Sequence, residues 1–248
     1  MTNVPDALVS QTSHLIHTPQ GQAIEVDALW QPSTQIQSQT QLKNSSDSKA
    51  KDITRVALLC HPNPLAEGTM MNKIVSTMYR FARDSNMHVV RFNFRGVGQS
   101  TGGSPDTWGD TVGEIADTLA VLDWVATQTD ARELWLGGFS FGGYIACRVA
   151  QTLENPTQNP HGFILTDLAL IAPSIEKYDI ADLVLPMANT FCIFGDQDEL
   201  VAPVALRAFV QRFGIRYREF ADTGHFFHGK LAPLKQALAE LSSVYAPL

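Results

Sequence analysis

The residues best equipped for chemistry are Gly138-Phe139-Ser140-Phe141-Gly142-Gly143. They follow an apolar run, 133–139, and precede apolar residues at helical spacing, so Ser140 stands on a sharp strand-to-helix turn. On such a turn, side chains two residues before and after the serine would meet the neighbouring chain, which explains Gly138 and Gly142. The Phe141 N–H, at the start of the following helix, would face a developing oxyanion. A serine hydroxyl is a weak nucleophile unless a base takes its proton. Two later stretches offer partners. Gly195-Asp196-Gln197-Asp198-Glu199-Leu200-Val201 presents Asp196 or Asp198 as an acid, and Thr223-Gly224-His225-Phe226-Phe227-His228 presents His225 or His228 as a base. Together these groups suit covalent acyl transfer.

The elements that must position them alternate in kind. Residues 13–31 read as an opening β-hairpin, and the polar stretch 33–52 as a mobile loop. Strands are expected at 55–60, 88–94, 133–139, 167–173, 190–195 and 215–220. Helices are expected at about 69–86, 109–128, 144–153, 203–213 and 229–245. Apolar strands alternating with helices predict a mostly parallel sheet covered on both faces, with ligands at the carboxyl ends of the strands. A chain of 248 residues can form this as a single domain, 1–248.

Composition narrows the function. The net charge is −7 and no Lys/Arg stripe appears, so nucleic-acid binding has no electrostatic support. The N-terminus lacks a signal-peptide pattern and no run is long enough to span a membrane, so a cytoplasmic location is expected. Cys60, Cys147 and Cys192 sit in apolar patterns and read as small buried hydrophobes in a reducing compartment. The histidine pair at 225 and 228 lacks accompanying ligands at metal spacing. No metal or cofactor is expected.

Five stretches in order, CHPNPLAEGTMMNK, NFRGVGQSTG, GGFSFGGY, FGDQDELV and TGHFFHG, carry a resemblance to the α/β-hydrolases. The chain looks like the small bacterial members near the dienelactone-hydrolase and acyl-peptidase branches, over about 53–245. The resemblance implies Ser140 as nucleophile, Asp198 as acid and His225 as base. Asp196 then becomes a turn-capping carboxylate, and His228 a support for the final helix. A second oxyanion donor is needed from His61-Pro62-Asn63-Pro64-Leu65. Neither proline can donate, leaving Asn63 and Leu65. Related enzymes usually carry His-Gly before the donor, which points to Asn63, although this chain has His-Pro. His61 is expected to brace the loop, and Arg95-Gly96-Val97-Gly98-Gln99-Ser100 to be a structural turn.

Many such hydrolases insert a cap after the sixth strand. Here only 174–189 separate two strands, too short for a packed cap. An open cleft is expected, walled by Phe141, Phe226 and Phe227 with Leu65 or Trp108 nearby. The expected activity is hydrolysis of a small carboxylic ester. A thioesterase, amidase or peptidase would use the same residues, and a non-catalytic scaffold is the other alternative. A serine nucleophile argues against the aspartate dehalogenases and the cysteine dienelactone hydrolases.

Overall fold

The computed structural model describes residues 10–32, 53–104 and 106–243. The polar stretch 33–52 lies outside the described residues. The strands are β1 (Ser10–His17), β2 (Ala23–Trp30), β3 (Arg55–Cys60), β4 (His88–Phe92), β5 (Glu133–Phe139), β6 (Ile164–Ile171), β7 (Thr190–Gly195) and β8 (Arg216–Phe220). The helices are α1 (Lys73–Asp84), α2 (Val112–Gln128), α3 (Phe141–Leu153), α4 (Pro203–Phe213) and α5 (Leu231–Leu241).

The strands form one eight-stranded sheet in the order β1-β2-β4-β3-β5-β6-β7-β8. The β1–β2 hairpin is antiparallel and joins β4 antiparallel, while β4, β3, β5, β6, β7 and β8 run parallel. Strands β4 and β7 are buried along their whole length, as strands covered on both faces must be. Helices pack against the sheet as two pairs, α1 with α5 and α2 with α3. A buried ion pair lies within the sheet. Asp27 on β2 stands opposite Arg91 on β4, with Arg91 Nε donating to Asp27 Oδ2 at 2.7 Å. The Arg91 guanidinium also lies 4.6 Å from the centre of the Tyr79 ring.

Several boundaries differ from the sequence reading for identifiable reasons. Helix α1 starts at Lys73 rather than near 69, because the Asn72 side chain accepts from Ile74 N and caps it. The residues before it are held elsewhere, with Met70 N donating to Asn93 Oδ1 at 2.9 Å. Strand β4 ends at Phe92 because Phe94 N turns away to His61 Nε2. Helix α3 begins three residues early, at Phe141, directly on the serine turn. Between β6 and β7 the chain makes bends and a short 3₁₀ turn at Met187–Asn189, with no packed cap.

Candidate active site

The carboxyl ends of β3, β5, β6, β7 and β8 meet around Ser140. Ser140 has φ 55° and ψ −117°, a conformation that costs a non-glycine residue of order 1–3 kcal/mol. Neighbours hold it there. Ser140 N donates to Ile171 O at 2.9 Å, and Ser174 N donates to Ser140 O at 3.0 Å. The turn also depends on its glycines. A Cβ on Gly138 would collide with the Gly142 carbonyl, and one on Gly142 would collide with the carbonyls of Cys60 and His61 at the end of β3. The glycines thus let the elbow touch the strand that carries the Asn63 loop.

Asp198 follows β7 and is buried. Its Oδ1 accepts from Leu200 N at 2.9 Å and Val201 N at 2.8 Å, which aims Oδ2 at His225. Asp198 Oδ2 lies 2.7 Å from His225 Nδ1. Asp196 instead accepts from Thr223 N at 3.3 Å, binding one loop to the other without touching the imidazole. The His225 ring lies 4.9 Å from Phe139, the residue before the serine, and meets Phe226 edge-on at 5.2 Å. His225 N donates to Glu199 Oε2 at 3.1 Å. That contact was not anticipated, since three acids crowd the 196–199 stretch and spacing alone does not separate their duties. Among the described residues, the Ser140 hydroxyl has one hydrogen-bond partner, the Ser174 hydroxyl at 3.1 Å. The structure therefore joins Asp198 to His225 beside the elbow but shows no hydrogen bond from His225 to Ser140.

The two donor candidates in the β3 loop stand differently. Leu65 N is already committed to Asn63 Oδ1 at 2.8 Å. Asn63 N and Phe141 N have no acceptor among the described residues. The loop is braced by His61, as its position suggested. His61 Nδ1 lies 2.6 Å from Pro62 O, and Nε2 accepts from Phe94 N at 2.9 Å, so the proton must sit on Nδ1. Burial pushes the His61 pKa down to about 3. The Arg95–Ser100 stretch is also structural, with Arg95 Nε and Nη2 donating to the two oxygens of Asp117.

Two aromatic assignments need correction. Phe227 is 0% exposed and packs edge-on against Phe220, so it belongs to the core and not to the cleft wall. Phe141 is also buried, between Phe94 and Tyr178. Phe226 is 41% exposed and does face the opening. The adjacent phenylalanines diverge because the loop turns at Phe227, which has φ 50° and whose N–H donates to Gly224 O. His228 is likewise not at the start of α5, where Lys230 occupies the capping position. It lines, with Phe226, Glu67, Met71 and Lys73, a cavity of about 310 Å³ between the histidine loop and the start of α1. Leu65 is exposed, whereas Trp108 is half-buried with its indole over Gly96. A larger cavity, about 530 Å³, lies between β1 and α2 at the far edge of the sheet. Neither cavity is lined by Ser140, Asp198 or His225; the smaller one adjoins the histidine loop through Phe226 and His228.

No group of three or more His, Cys, Asp or Glu residues gathers as metal ligands among the described residues. Burial pushes the thiols of Cys60 and Cys147 up to about 12, which makes them inert as nucleophiles. No helix among the described residues is long and apolar enough to cross a membrane.

Comparison with known proteins agrees with this fold. The model of the alpha/beta hydrolase fold matches residues 58–161. An uncharacterized protein of Rickettsia prowazekii is 33% identical over 193 residues, covering 74% of this chain and 76% of that one. The crystal structure of an α/β serine hydrolase without a lid from Xanthomonas campestris is 31% identical, with a TM-score of 0.75, and the match covers 96% of this chain and 95% of that one. An α/β serine hydrolase homologue from Coxiella burnetii is 30% identical with a TM-score of 0.74, over 95% and 99% of the two chains. The chain belongs to the α/β serine hydrolases, in the group built without a lid.

Proposed function

We propose that the protein hydrolyses small carboxylic esters through an acyl-enzyme, with Ser140, His225 and Asp198 as its triad. The observation that carries this is the buried 2.7 Å contact between Asp198 Oδ2 and His225 Nδ1, set beside a serine held at φ 55°. Asp198 fixes the Nδ1–H tautomer of His225, leaving Nε2 to take the Ser140 proton as Oγ attacks the ester carbonyl. The carbonyl π pair moves to oxygen, and Phe141 N–H and Asn63 N–H receive the charge, both free of other acceptors among the described residues. Protonated His225 gives its proton to the leaving alkoxide as the tetrahedral intermediate collapses. Water then repeats the sequence on the acyl-enzyme. The open approach past Phe226, Leu65 and Met71, all exposed, suits a small substrate with apolar surface.

The test is labelling with a fluorophosphonate, followed by turnover of p-nitrophenyl esters of increasing acyl length beside thioesters and aminoacyl amides. Labelling on Ser140 with fastest turnover of short esters is expected. Faster turnover of a thioester or amide would keep the triad and replace the substrate class. No labelling would favour a non-catalytic scaffold.

A further inference from the structure

We propose that Ser174 is a further catalytic residue, whose hydroxyl donates to Ser140 Oγ whenever that oxygen carries negative charge. The inference rests on the acyl-enzyme reading above. Ser174 lies just past β6, two residues after Ala172, which has φ 42°. It is 5% exposed. Its backbone N–H is bonded to Ser140 O, and its Oγ lies 3.1 Å from Ser140 Oγ. Among the described residues the Ser174 side chain has no other hydrogen-bond partner. Most side-chain hydrogen bonds run to backbone or water rather than to another side chain, as that of buried Thr118 Oγ1 does to Glu114 O. Here the single partner is the reacting oxygen.

The chemistry fixes which hydroxyl donates. At rest, either can give its proton to the other. During attack, the Ser140 proton passes to His225 and the Oγ lone pair forms the bond to the carbonyl carbon. Ser140 then has no proton to give, and the hydrogen bond persists only with Ser174 as donor. Ser174 keeps its own proton throughout. In deacylation the C–Oγ bond breaks, its electron pair returns to Oγ, and His225 supplies the proton. Ser174 again faces the charged oxygen. Its hydrogen bond is therefore weak in the ground state and charge-assisted near both transition states, the difference that lowers a barrier. The position is set by backbone: the Ser174 and Ile171 contacts clamp Ser140 from both sides, so the donor moves with the elbow.

The experiment compares wild type, Ser174→Ala and Ser174→Thr by inactivation with a fluorophosphonate over a range of concentrations. This reagent reports attack by Oγ without deacylation. Ser174→Ala is expected to lower the maximal inactivation rate about 10- to 100-fold, the effect of losing one hydrogen bond to a charged group. The half-saturating concentration and the melting temperature should stay near wild type, and a folded Ser174→Thr should recover most of the rate. A Ser174→Ala enzyme that inactivates at the wild-type rate, or faster, overturns the proposal; the faster rate would make Ser174 a trap for the resting hydroxyl. An equal fall for a folded Ser174→Thr also overturns it, since the hydroxyl would then be immaterial. If the wild type itself is not labelled, the fault lies with the acyl-enzyme reading.

Discussion

Replacing His61 by Gln tests whether this histidine is a neutral brace. Its folded pKa is about 3, against about 6.5 for an ordinary histidine. Below about pH 6.5 the unfolded chain binds a proton at this position that the folded chain refuses. Unfolding is then favoured as pH falls, so the stability from neutral burial is complete above pH 6.5 and is lost progressively toward pH 3. At about 1.4 kcal/mol per pH unit, the loss from this residue is roughly 2 kcal/mol at about pH 5. Gln carries no titrating group, and its Oε1 can accept from Phe94 N as Nε2 does. Urea unfolding of both proteins at about pH 7 and pH 5 should therefore show the wild-type advantage shrinking by roughly 2 kcal/mol. Other titrating groups, His88 among them, act in both proteins and cancel. An advantage that is the same at both pH values would refute the reasoning. So would an imidazole NMR titration of His61 with a midpoint near 6.5. The result bears on function, because His61 holds the loop that offers Asn63 N–H.

Other substitutions probe separate parts of the site and scaffold. Asp198→Asn should lower kcat by about 10³–10⁴ through the wrong imidazole tautomer, while Asp196→Asn should cost far less; steady-state kinetics on one ester decide between them. Gly142→Ala should destabilise the fold by about 2 kcal/mol or more in urea unfolding, because its Cβ meets the backbone carbonyls of Cys60 and His61 rather than a movable side chain. Phe227→Ala should cost about 3–5 kcal/mol of stability, whereas Phe226→Ala should leave stability nearly intact and change KM. Arg91→Met should destabilise the fold, because it removes the guanidinium that donates to the buried Asp27 carboxylate at 2.7 Å, as read from the midpoint and slope of denaturation.

The parts of this account that were legible in the sequence are those encoded locally. Arg55–Cys60, Glu133–Phe139, Thr190–Gly195 and Pro203–Phe213 form the expected elements end to end, because an unbroken apolar run or a helical period carries its own boundaries. The elbow was legible because its two glycines are demanded by contacts within six residues of each other and with β3. Choosing Asp198 over Asp196 drew on resemblance, and the geometry separates them through the Leu200 and Val201 N–H groups that aim one carboxylate. Side-chain contacts between distant segments left no such signature. Ser174 stands 34 residues from Ser140, and nothing in Ala172-Pro173-Ser174 marks a serine whose hydroxyl faces Ser140. The inward turn of Phe227 likewise depends on its φ of 50° and on Phe220 across the loop, which spacing does not reveal.

The central claim is that Ser140 Oγ becomes covalently acylated. The most direct measurement is rapid acid quenching of the enzyme mixed with a p-nitrophenyl ester, followed by intact mass and peptide mapping. One acyl group per chain is expected, located on Ser140 and formed with the burst of nitrophenol, with neither adduct nor turnover in a folded Ser140→Ala. Undiminished turnover by Ser140→Ala, with no adduct on the wild-type serine, would contradict it.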